Sequence, residues 1–162
     1  MDCGPTCLQM VARFHGRSYT LPFLREISYI SREGVSLQGI MEAADRIGFR
    51  TMPVKVPFTK TSQQEPSFLE APFPCIVHWN QQHFVVAYKA TKKYIWVADP
   101  AQGKFKLPHD SFKKSWISDQ EKGVALLLEP MPDFYEREGE KDNKKGFAYL
   151  FKYLIPYRKL IL

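Results

Sequence analysis

At Gly48 the hydrophobic rhythm of this chain changes, and that change limits the folds open to it. Upstream, apolar residues recur about every 3.6 positions; downstream they alternate or come in short blocks. Residues 5–15 read as a helix, with Pro5 in its first turn, Leu8, Val11 and Ala12 on one face, and Gly16 as its stop. A shorter helix is expected over 21–30, with Leu21, Leu24 and Ile27 or Ser28 on one face. Ser36 suits the N-cap of a third, "LQGIMEAADRIG", whose stripe is Leu37, Ile40, Met41, Ala44 and Ile47. After Gly48, "RTMPVKV" (50–56) reads as an edge strand, because Pro53 has no N–H to give a ladder. Strands are then expected at 73–79, 83–90, 94–100, 103–108 and 123–130, with a polar loop over 59–67 and a small helix over 109–117. Helices first and tightly connected strands second describe an α+β chain, a helical layer on an antiparallel sheet.

The 162 residues are 44% hydrophobic and 14% aromatic, enough apolar side chain for one core and too much for a disordered chain. The formal charge of +6 is spread along the chain, without a basic stripe interleaved with exposed aromatics, so no nucleic-acid partner is expected. Three cysteines, Cys3, Cys7 and Cys75, do not make a disulfide scaffold and fit a reducing compartment. Met1 is followed by polar and turn residues rather than a signal peptide, and no run of 18 apolar residues occurs. The chain is therefore expected to be soluble as written.

Three segments are expected: a domain over 1–130, a charged linker over 131–146, and an amphipathic segment over 147–162. That last segment, "FAYLFKYLIPYRKLIL", sets Lys152, Arg158 and Lys159 among aromatic and aliphatic residues. It fits an interfacial helix or the approach to a membrane segment beyond it. A C-terminal helix docked on the domain or on another copy is the plainer reading.

"DCGPTC" places Cys3 at the mouth of the first helix, where free N–H groups and the helix dipole favour a negative sulfur. Cys7 falls one turn further on, beside Leu8 and Val11, and reads as packing. A thiol nucleophile needs a base. His15 lies at the far end of the same short helix, too remote, and His109 has no evident orienting partner. A turn centred near Lys92 would set Val85 opposite Asp99, leaving His83 and Asp99 as diagonal neighbours on one face. His78, paired with Phe84, would take the other face. His83 is thus named as base and Asp99 as its orienter, and a slip of one residue would reverse the choice. Each feature alone has a plainer reading: a structural cysteine, a surface His–Asp bond, a strand-end Asp-Pro turn. A thioredoxin-type redox pair would need two intervening residues and a preceding strand. A zinc site would need a second ligand pair, whereas Cys75 and His78 point to opposite faces of their strand.

Four blocks, "DCGPTCLQM", "GVSLQGIMEAADRIGFRT", "PCIVHWNQQHFVVAYK" and "YIWVADPAQGK", resemble in order the peptidase C39 domain of bacterial peptidase-containing ABC transporters. The resemblance covers about residues 1–130 and implies a papain-like fold. It implies cleavage of a precursor's leader after a Gly-Gly-type motif, coupled to export. The family's nucleophile falls on Cys3, its base on His83 and its third member on Asp99. The implied partners are a precursor with a double-glycine-type leader and the transmembrane and nucleotide-binding domains of a homodimeric transporter, at the cytoplasmic face of the membrane. No cofactor is expected in this chain. ATP would belong to a nucleotide-binding domain, and no "GxxxxGK[ST]" occurs here. The family usually carries a Gln several residues before the nucleophile, as an oxyanion donor, whereas only Met1 and Asp2 precede Cys3. Loss of one such donor costs about 10²–10³ in rate, so the chain as written is expected to be impaired. The rival readings are an impaired module that binds leader or cargo, and another papain-like thiol hydrolase.

Overall fold

The computed structural model describes residues 2–28 and 34–136. Helix α1 (Cys3–Phe14) is amphipathic, burying Cys7, Leu8, Val11 and Ala12 completely. Helix α2 (Leu21–Ile27) is capped by Thr20, whose hydroxyl accepts the Phe23 N–H at 3.4 Å, with Pro22 in its first turn. Helix α3 (Leu37–Arg46) begins where Ser36 predicts, the hydroxyl accepting the Gly39 N–H at 3.1 Å. These three helices form one layer. Gly4 marks how closely they approach: a Cβ there would lie 2.9 Å from the Ile40 side chain.

The strands are β1 (Phe49–Pro57), β2 (Cys75–Trp79), β3 (His83–Ala90), β4 (Tyr94–Asp99), β5 (Gly103–Pro108), β6 (Ile117–Asp119) and β7 (Lys122–Pro130). They make one antiparallel sheet in the order β1-β7-β2-β3-β4-β5, with β6 paired to β7. β1 is an outer strand with Pro53 exposed on it, as its missing N–H requires. Alternation sorts the sheet's side chains. Ile76, Phe84, Val86, Leu126 and Leu128 pack beneath the helices. Cys75, Val77, Val85, Ile95, Val97 and Ala125 pack against α4 (His109–Trp116) and a 3-10 turn at Phe68–Glu70. Each large apolar side chain so buried contributes about 1.5–3 kcal/mol.

Three expectations change. Helix α1 starts at Cys3 rather than Pro5, so Cys3 is its first residue and not its neighbour. Strand β6 was not foreseen, three residues being too short to show a period. The linker expected from 131 begins as structure: α5 (Pro132–Glu136) docks on the domain. The Met131 N–H donates to the Gly48 carbonyl at 3.0 Å, and Phe134 is fully buried with its ring 4.5 Å from that of Phe49. Gly48 has φ +101°, and a Cβ there would sit 2.5 Å from the Phe134 backbone, so the glycine makes room for this docking. One aromatic anchor among charged residues is a weak composition signal. The end of the helix expected over 21–30, the rest of the 131–146 linker and the 147–162 segment lie outside the described residues.

Candidate active site

The three candidate residues stand at the ends of elements. Cys3 opens α1, His83 opens β3, and Asp99 closes β4. The His83 Nε2–H donates to Asp99 Oδ1 at 2.8 Å. The same oxygen accepts the Ala101 N–H at 2.7 Å, which fixes the carboxylate at the turn after β4. The Asp99 side chain is 5% exposed and that of His83 20%, so the pair is sheltered yet open on the imidazole side. With Nε2 committed to Asp99, Nδ1 is the ring nitrogen left to exchange a proton.

Cys7 relates this pair to Cys3. Its thiol donates to the Phe84 carbonyl at 3.3 Å, one residue from His83, and so ties α1 to β3. Burial pushes the Cys7 thiol well above its ordinary value, and negative charge on Cys3 and on Asp99 pushes it in the same direction. Cys3 and Asp99 therefore both act on one buried sulfur a turn below the helix mouth. Cys7 stays protonated, as a packing residue should. Cys75, fully buried on the α4 face, is pushed up to about 12 by burial. All three thiols are free.

The hairpin reading reaches the right geometry by a route that sequence could not show. Pairing of Val86 with Ala98, carried one residue on, sets Val85 opposite Asp99 as expected. Nearer the turn, however, Ala90 pairs with Ile95, and the register shifts between Ala87 and Lys89. That bulge at Tyr88 puts His83 within reach of Asp99; the turn register extended unbroken would put the two on opposite faces.

The other histidines go elsewhere. His78 pairs with Phe84 and lays its ring 5.2 Å from it, on the face away from His83. Burial lowers its pKa. His109 donates from Nε2 to the Thr91 carbonyl at 2.8 Å, at the far end of the hairpin. His15 follows α1 among Phe14, Phe49 and Phe134, and burial lowers its pKa. Among the described residues no three His, Cys, Asp or Glu side chains gather as a metal site.

Sequence reasoning missed two supports. Asp2, just before Cys3, pairs with Arg25 and so ties the start of α1 to α2. The turn before His83 has left-handed backbone at Asn80 (φ 50°) and Gln81 (φ 59°), and the Asn80 N–H donates to the Ser115 carbonyl of α4 at 2.8 Å. An Asn in a tight turn was the available signal for the second.

The model of the Peptidase C39 family matches residues 1–133. The chain is 30% identical over 165 residues to the lactococcin-G-processing and transport ATP-binding protein LagD of Lactococcus lactis subsp. lactis, covering 99% of this chain and 22% of that protein. It is 30% identical over 167 residues to the transport/processing ATP-binding protein ComA of Streptococcus pneumoniae, with the same coverage. The chain thus spans about a fifth of these relatives. Among solved structures, it matches a double glycine motif protease from an AMS/PCAT transporter in complex with the leader peptide. That match has a TM-score of 0.67 and 29% identity, over 80% of this chain and 85% of the other. The peptidase domain of Streptococcus ComA matches with a TM-score of 0.66 and 29% identity, over 80% of this chain and 92% of the other. The α+β, papain-like fold expected from sequence is the fold of these domains. Among the described residues no helix is long and apolar enough to cross a membrane.

Proposed function

Because the chain belongs to the peptidase C39 family, we propose that it is a cysteine peptidase domain that cuts the leader from a precursor peptide after a Gly-Gly-type pair, as one part of an exporting transporter. The observation that carries this reading is the His83–Asp99 bond at the strand ends beside the helix that Cys3 opens. Nδ1 of His83 takes the Cys3 proton, and Asp99 holds the ring and balances the imidazolium. The thiolate attacks the carbonyl carbon of the second small residue. The oxyanion formed lies against first-turn N–H groups of α1, where the helix dipole favours negative charge. His83 returns its proton to the leaving amine, the C–N bond breaks, and water hydrolyses the thioester. Small residues before the cut suit a narrow approach. The transmembrane and nucleotide-binding partners, the ATP that the latter would use, the homodimer and the cytoplasmic membrane face belong to this same reading.

Incubation with a synthetic leader–cargo peptide, read by mass, tests it. Cleavage after Gly-Gly that is lost in Cys3→Ala is expected. Intact peptide with the unaltered protein, also when further upstream residues are joined to it, would sink the peptidase reading.

A further inference from the structure

The Phe84 carbonyl on β3 takes a hydrogen-bond donor from outside the sheet: the Cys7 thiol of α1, at 3.3 Å. β4 offers it none. The two strands pair from Val86 and Ala98 onward, and the same register sets Phe84 opposite Pro100, which has no N–H. Cys7 is wholly buried, so the bond is made out of water, where an acceptor that loses its partner costs most. Among the described residues no other side-chain hydrogen bond runs from α1 to the sheet.

Both ends of this bond adjoin the candidate chemistry. Cys7 lies one helical turn after Cys3, and Phe84 directly follows His83. The bond therefore joins the segment that carries the nucleophile to the segment that carries the base. On the other side of the helix mouth, Asp2 pairs with Arg25 and draws the same end of α1 toward α2. A cysteine that only fills space needs no acceptor. Cys75, equally buried on the α4 face, makes no such bond among the described residues. Burial, with negative charge on Cys3 and on Asp99, keeps the proton on Cys7. The donor thus persists when Cys3 ionises for attack.

We infer that Cys7 is a positioning residue for the proposed cleavage: its thiol, bonded to the Phe84 carbonyl, sets how far Cys3 stands from His83. Cys7 does not touch the reacting atoms. The inference rests on the peptidase reading above and adds to it a residue that acts through the other two. A misplacement of about 1 Å between reacting groups can cost about 10²-fold in rate, so loosening one hydrogen bond is expected to cost about tenfold.

Three substitutions test it on the Gly-Gly leader–cargo peptide. Cys7→Ala and Cys7→Val both lack the donor, one smaller and one larger than the thiol, whereas Cys7→Ser keeps it. Each folded variant without the donor should show kcat lowered about tenfold with KM within about twofold. In both, the pH profile of Cys3 alkylation should move upward, because a thiolate further from His83 is less stabilised. Cys7→Ser should restore kcat to within about threefold of the unaltered protein. Cys75→Ala, which empties a buried thiol site on the other face, should lower the thermal midpoint and leave kcat and the alkylation profile in place. Parental kcat in a folded Cys7→Ala or Cys7→Val overturns the positioning role and leaves the peptidase reading standing. So does a loss in Cys7→Ser as large as theirs. Cleavage by none of the proteins, the unaltered one included, removes the peptidase reading and this inference with it.

Discussion

The α4-covered face of the sheet and the contact between α1 and β3 are built from different side chains. On the α4 face Phe58, Phe68, Phe112, Trp116 and Trp79 close an aromatic cluster, with Phe68 and Trp116 centroids 4.5 Å apart. Helix α1, which packs on β3, buries the small residues Cys3, Gly4, Cys7 and Ala12 beside Pro5, Leu8 and Val11. Aromatic rings bury much area per residue and anchor the fold. Small residues let a helix end approach a strand end until a thiol reaches the Phe84 carbonyl at 3.3 Å. Stability is concentrated on one face and close positioning on the other.

Substitutions should therefore separate the two. Cys3→Ala is expected to abolish cleavage, by more than 10³-fold, while leaving the thermal midpoint near that of the parent. A large loss of stability would blur the division. Trp116→Ala should cost about 3–5 kcal/mol in denaturant unfolding, yet the folded fraction should keep the His83 and Asp99 chemistry. Asp99→Asn leaves the shape but removes the charge that orients His83, and should lower kcat about 10²-fold with little change in KM. The smallest effect is a slope. His15 and His78 have pKa values lowered by burial, so near and below about 6.5 the unfolded chain binds protons that the folded chain refuses. Stability should fall as pH drops from about 7.5 to 5.5, and His15→Gln should flatten part of that fall in thermal melts.

Much of this was legible because local signals agreed with the fold. Ser36 capped the third helix, Pro53 marked an outer strand, and the break at Gly48 divided helices from sheet. The His83–Asp99 pairing came from strand alternation, but only because the bulge at Tyr88 offsets the shifted register nearer the turn. Bulges leave no mark in hydrophobic period. The start of α1 was set two residues late, since Pro5 suits a first turn without saying which position of it. Phe134 was hidden by the charges around it, and the Asp2–Arg25 tie spans a separation at which sequence carries no pairing signal.

Thiol labelling tests the central assignment most directly. Treated with iodoacetamide near pH 7 and mapped by mass, the folded protein should be alkylated at Cys3 well before Cys7 or Cys75, which are buried and held protonated. His83→Ala should slow Cys3 labelling at least tenfold, and His78→Ala should leave it unchanged. Labelling of Cys3 that ignores His83, or that follows His78, would contradict the account.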